Sequence, residues 1–346
     1  MFFLYFCNWK IKFFLKSMRK YFLLFLCIVY CSLFCAHSQE VAHTTNDFNL
    51  MGYVKTLRYM KFEADTTIKN QRASFIEDYQ LTFSDNRLLD NRLNFIGGKA
   101  DRKISYEYNN KRQLIKETLT EQDGKVVSVT SYSYNNIGRL VTIKEISYPN
   151  SRGGANKVVR DELLTYNTKG LLVERSISSD NKNSNKLIKY YYGPADSLIS
   201  MVTTYQRNSN VDKVNYKRAF NNLVMETTML RNDKVIKRET YDWDDDARMI
   251  KKDVYRNNKK ILSYTYTYDE HDNLLSEVAV DDKEVKTIEY YYKYEKDKFF
   301  NWTKRSVYDA DDLKYTEVRS IEYFDKTHFY EDLKDADTGR ILKDKN

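Results

Sequence analysis

The chain has 346 residues, with 57 basic against 49 acidic side chains, 30 tyrosines, 4 cysteines, and only 10 glycines and 2 prolines. The leader, residues 1–38, holds Lys10, Lys12, Lys16, Arg19 and Lys20 and no acid, so the remainder carries 52 bases against 49 acids and a net charge near +3, which does not make a nucleic-acid footprint. Cys7, Cys27, Cys31 and Cys35 also fall within that leader, and this excludes a disulfide framework, a thiolate metal site and a cysteine nucleophile from everything after it.

Residues 1–38 read as a signal peptide. Met18-Arg19-Lys20 supplies a basic start, residues 21–36 an apolar run, and Ala36-His37-Ser38 a small-x-small cleavage site. Met18 is an alternative start, and the apolar run is short for a membrane-spanning helix. Export to the periplasm or cell surface follows, with no membrane span after cleavage. Cys35 offers lipid anchoring as the lesser alternative, because Phe34 stands where a lipoprotein signal wants a small residue. Residues 39–78 read as a disordered terminus followed by capping strands.

From residue 79 to residue 325 a tyrosine-rich unit recurs. Its anchors are Leu114, Leu140, Leu172, Leu198, Leu223, Met249 and Leu274, evenly spaced except for one longer step from Leu140 to Leu172. That step holds Pro149-Asn150-Ser151-Arg152-Gly153-Gly154-Ala155-Asn156, a turn-rich insertion. Tyr132-Ser133-Tyr134-Asn135-Asn136-Ile137-Gly138-Arg139-Leu140 aligns with the units ending at Leu114 and Leu172 without gaps. Self-similarity with a period of about 26 residues indicates a repeat architecture.

Within each unit, aromatic and β-branched residues alternate with polar ones, as in Leu262-Ser263-Tyr264-Thr265-Tyr266-Thr267-Tyr268, which is the pattern of strands with one buried face. Two turns punctuate each unit. One follows the tyrosines, as at 135–138 and 269–272. The other is a short Asp-, Asn- or Gly-rich bend, as at Asp123-Gly124-Lys125 and Asn257-Asn258-Lys259. The expected fold is all-β: a long antiparallel meander of stacked hairpins, two strands per unit and about 18 in all, twisting into an open, coiled or spiralling sheet. Residues 326–346 read as a charged C-terminal tail.

These units resemble the tyrosine-aspartate repeats of RHS-type bacterial envelope proteins. Tyr268-Asp269 with Asp272-Asn273-Leu274, Gly138-Arg139-Leu140, Tyr241-Asp242 and Asn301-Trp302-Thr303-Lys304-Arg305 carry the resemblance. Asn stands in place of Asp at Asn109, Asn135 and Asn167, the unit at Phe220-Asn221-Asn222-Leu223 is degenerate, and no protease-like core motif or variable toxin segment is recognisable. The resemblance implies a short-form cell-envelope repeat protein in contact with glycan or a protein partner.

Catalytic chemistry finds no support. The four histidines, His37, His43, His271 and His328, have no metal-ligand spacing and no nucleophile to serve. Asp242, Asp244, Asp245 and Asp246 fall at a repeat turn, with calcium as the alternative reading, and Asp335-Ala336-Asp337 falls in the tail. No cofactor is expected. The candidate recognition surface is the tyrosine face: Tyr132, Tyr134, Tyr190, Tyr192, Tyr264, Tyr266 and Tyr268. Buried, these rings would be a packing ladder; exposed, they would be stacking platforms. The leading reading is a non-enzymatic, exported binding or structural module, and the alternatives are a toxin-associated β-shell or a calcium-stabilised adhesin.

Overall fold

The computed structural model describes residues 42–64, 75–148, 157–180 and 182–325. The leader, the insertion at 149–156 and the tail at 326–346 lie outside these.

Among the described residues, twenty strands run in sequence order from β1 (Val54–Glu63) to β20 (Asp312–Tyr323), and each pairs antiparallel with the next. The expected open sheet is corrected here. β1 pairs with β2 (Phe75–Phe83) on one side and with β20 on the other, in a ladder that takes Leu57 to Ile321, Tyr59 to Arg319 and Lys61 to Glu317. The sheet therefore closes into a barrel. The terminal strands do not blunt two edges; they remove them by pairing with each other, and full closure is the one arrangement that leaves no edge at all. The spacing of the repeats carries no trace of this, because the partners are the first strand and the last.

The repeat turns share one geometry, apart from Gly193 to Ser197, where Ala195 and Asp196 are both left-handed. In the turn after β6 (Val126–Tyr134), Gly138 N–H donates to Asn135 O and Asn135 N–H donates to Arg139 O, both at 2.9 Å. The fourth turn residue is left-handed, φ +84° at Gly138 and +63° at Asp272, and the ladder register shifts just before the second aromatic of the unit, between Ser133 and Tyr134 or between Thr267 and Tyr268. This is a type I turn closed by a one-residue bulge. The Asp or Asn is there for its side chain: Asp269 Oδ1 accepts from His271 N–H at 2.8 Å and Asn273 N–H at 2.9 Å, and Asn135 Oδ1 accepts from Ile137 and Arg139. Either residue offers that oxygen, so the Asn-for-Asp departures leave the turn intact.

Successive repeats are tied by a second device. The ladder from β5 (Leu114–Glu121) to β6 begins at Lys116 and Ser131, leaving the Leu114 carbonyl beyond its end, and the Tyr134 hydroxyl donates to it at 2.7 Å. Tyr166 does the same for Leu140, Tyr192 for Leu172, Tyr268 for Met249 and Tyr294 for Leu274. In the degenerate region Arg218 Nε reaches Leu198 O and Trp243 Nε1 reaches Val224 O. The period of the sequence is thus the period of a brace between neighbouring hairpins.

Hydrophobic packing is local. Leu50, Val54, Leu57, Leu81, Phe83 and Leu89 make one cluster beside the seam, and Leu140, Leu164 and Leu172 make another. Strand-to-strand packing runs between sequence neighbours and across the β1–β20 seam. A circular ring of twenty strands at the usual spacing and tilt is roughly 40 Å across, wider than the strand number at which barrels begin to hold an aqueous channel.

Candidate functional site: the tyrosine-lined inner wall

The register places the paired aromatics that precede each repeat turn on one face. Tyr132 lies opposite Ile143, Tyr190 opposite Met201, Tyr264 opposite Ala279 and Tyr266 opposite Glu277. Most of the fully buried strand residues share that face, among them Leu57, Leu81, Val254, Ala279 and Val307. It is the concave one. Ring contacts there reach over an intervening strand, as from Tyr59 on β1 to Trp302 on β19 (Trp302–Asp309), 6.5 Å between centroids. The N-terminal segment lies on the same face at the rim of the repeat turns: Phe48 meets Phe83 edge-on, and His43 meets Tyr106 at 5.3 Å. His43, expected in a disordered terminus, is held by its backbone, which accepts from Leu89 N–H at 2.8 Å.

The candidate tyrosines divide by position in the unit. Tyr134, Tyr192 and Tyr268 spend their hydroxyls on the brace between hairpins and are packing residues. Tyr132, Tyr190, Tyr264 and Tyr266 stand one step further along the wall. Tyr132 donates to Glu117 Oε1 at 2.9 Å, Tyr264 and Tyr266 stack at 6.3 Å between centroids, and Lys252 Nζ lies 4.1 Å over the Tyr264 ring. Tyr266 is buried and the other three are half-buried. Burial raises the pKa of Tyr132, Tyr190 and Tyr266 above the usual phenol value, and at Tyr106 burial with the nearby Glu117 pushes it to about 12. These hydroxyls are neutral donors at any physiological pH.

Charged groups alternate with the rings. Glu162, nearly inaccessible, accepts from Arg160 Nη2 at 2.6 Å and from Arg175, and Asp212 accepts from Arg231 at 2.8 Å. At the seam, Glu317 takes both Arg305 and the Tyr59 hydroxyl, the latter at 2.6 Å. Burial would raise the Glu317 pKa, but the hydrogen bonds from Arg305 and Tyr59 hold it below the ordinary carboxylate value. The sequence reading missed this seam cluster, because its members come from opposite ends of the chain. Its one signal was Trp302, noted only as part of a repeat match.

The outer face mixes polar and charged side chains with exposed Leu163, Tyr191 and Tyr291. Ser131 and Ser133 are exposed there, beside Lys116, Lys144, Lys189 and Lys293. Among the described residues no helix is long and apolar enough to cross a membrane.

His271 remains at its turn, stacked on Phe300 at 4.9 Å. In the Asp242–Asp246 cluster the carboxylates meet an arginine: Arg248 reaches Asp244 at 2.8 Å, Asp246 at 3.3 Å and Asp272 at 3.2 Å. Among the described residues no group of three or more metal-ligating side chains converges. The Asp335–Asp337 stretch lies outside them.

No protein-family model and no curated protein matches the chain. Solved structures of similar shape include porin-like proteins from Bacteroides uniformis, at 9% identity with a TM-score of 0.35, and from Bacteroides vulgatus, at 11% identity with a TM-score of 0.25. Each comparison covers 79% of this chain and 99% of the other. The TcdB2-TccC3-Cdc42 complex matches 75% of this chain at 11% identity and a TM-score of 0.29, and there the chain spans only 19% of its counterpart. These are distant likenesses of shape, and the closure of the ring stands on its own strand register.

Proposed function

We propose that this protein is an exported, non-enzymatic binding barrel of the cell envelope, which takes an extended guest, a glycan, along its tyrosine-lined inner wall. The observation that carries the reading is the belt of half-buried rings at the first aromatic position of the units, Tyr106, Tyr132, Tyr190, Tyr241 and Tyr292, on the concave face of a closed sheet. Rings that keep one surface accessible, with neutral hydroxyls and paired charges between them, suit sugar faces and sugar hydroxyls.

Both faces of the sheet carry charge, which supports a barrel in water over one in lipid. A lipid-facing wall needs an apolar band about 25 Å tall, and each Lys or Arg at its middle costs roughly 2–4 kcal/mol. Lys116, Lys144, Lys189 and Lys293 on the outer wall count against such a band. The RHS-type resemblance fits the same reading, with the repeats closed on themselves as a compact container.

Glycan-array screening of the purified chain is the test, followed by titration of hits against Tyr132→Ala/Tyr190→Ala. Binding weakened at least tenfold by the double substitution is expected. Arrays without a hit, or hits indifferent to those tyrosines, refute the reading.

A further inference from the structure

Among the described, part-buried arginines on the strands of the inner wall, Arg319 is the exception. Arg92, Arg160, Arg175, Arg231 and Arg305 each pair with a carboxylate, and Arg218 is spent on backbone carbonyls. Arg319 sits on β20 directly opposite Tyr59, with its guanidinium carbon 3.7 Å from the centre of the Trp302 ring. Its Nε and Nη1 are enclosed and find no acceptor. The carboxylate nearest in register, Glu317, is already occupied by Arg305 and Tyr59. Burial lowers the Arg319 pKa to about 10, so the group stays cationic at neutral pH although its surroundings disfavour the charge.

An arginine held against an indole and partly withdrawn from water carries an unmet desolvation cost, and an anion brought by a ligand to its remaining nitrogen would offset part of it through charge. Nη2 is the nitrogen left to meet one. The indole fixes the plane of the guanidinium and so presents Nη2 as a preoriented, charge-assisted donor to one carboxylate oxygen. The two stacked rings Tyr59 and Tyr79, 4.9 Å apart, border the position, and Arg92 lies over the far face of Tyr79 at 4.2 Å, adding a second cation nearby.

We propose that Arg319 is a specificity-determining residue that selects acidic saccharides, anchoring the carboxylate of a uronic-acid unit at the β1–β20 seam. This rests on the glycan reading above and narrows it to a chemical class. Oligogalacturonate, its methyl ester and inorganic polyphosphate of similar length serve as probes in calorimetric titration of the full chain. Wild-type protein is expected to bind the acid at least tenfold more tightly than the ester. Arg319→Gln should reduce that preference to below threefold without changing affinity for the ester, and Arg319→Lys should keep part of it. Thermal melting of each variant separates lost recognition from lost fold, and Arg102→Gln, an exposed arginine at the far rim, is the control that leaves binding unchanged. Binding of acid and ester with equal affinity, or a preference that survives Arg319→Gln, overturns the inference and leaves the glycan reading standing. An Arg319-dependent site that takes polyphosphate and not the uronate also overturns it. Failure of both oligomers to bind overturns the inference as well, while the glycan reading stands or falls on the array.

Discussion

The brace between hairpins makes a sharp prediction. Replacing Tyr134, Tyr166 and Tyr192 by phenylalanine keeps the rings and removes three hydroxyl donors, which now sit 2.7, 2.7 and 2.8 Å from Leu114, Leu140 and Leu172 carbonyls that lie past the ends of their ladders. Each partly buried hydrogen bond contributes a net ~1 kcal/mol. The three hydroxyls have different acceptors and the rings are kept, so the effects should roughly add, to about 3 kcal/mol. For a domain of this size that corresponds to a melting point lower by roughly 5 °C. The matched control is Tyr191→Phe, on the outer face and about half exposed, which should shift melting by under ~1 °C. Circular dichroism melts of the two variants beside the parent decide the matter. A triple variant that melts with the parent, or a control that falls as far, would mean the tyrosine period reflects ring packing alone.

The turns and the seam answer to simpler substitutions. Asp269→Ala strips the acceptor from two backbone N–H groups and should cost about 1–2 kcal/mol in urea denaturation, whereas Asp269→Asn keeps that oxygen and should cost under ~1 kcal/mol, as the natural Asn109, Asn135 and Asn167 suggest. Although burial pushes the Asp269 carboxyl up, Lys296 and Asn273 hold its pKa below the ordinary value. Its stabilisation is therefore complete above the unfolded pKa near 4 and is lost as pH falls through the lower folded value, so the acid limb of a stability–pH curve should flatten in Asp269→Asn. Gly170→Ala should lower stability by about 1–2 kcal/mol, since φ is +87° there and an added Cβ would collide with the Arg139 guanidinium, which must move. Glu317→Gln leaves Arg305 without its carboxylate in a largely buried setting and should cost about 3 kcal/mol, read as an earlier urea midpoint.

Much of the fold is written locally and so was legible. Alternation in Leu262–Tyr268 gives a strand, the Asp or Asn that opens the turn in most units gives the turn, and the even step between anchors gives the meander. What the alternation could not supply is the partner of the first strand. Leu57 and Ile321 read as ordinary apolar strand residues, and only the accumulated twist and register of the strands between them bring them opposite one another. The candidate site was half legible for a related reason. Tyr132 and Tyr134 are equivalent as letters with a period of two, yet the bulge between Ser133 and Tyr134 turns the second ring toward the preceding hairpin and leaves the first on the open wall. Arg319 was invisible, because nothing in its neighbours along the chain marks its enclosed nitrogens as lacking an acceptor.

The seam also governs assembly. The strand that leaves the ribosome first finds one of its two neighbours only when the last strand has been made, so this barrel cannot be finished unit by unit as an open array can. Until then the nascent sheet has two raw edges, each able to capture a strand from another molecule. A chain shortened by even its final hairpin would keep both for life, and the expected fate of such a fragment is self-association.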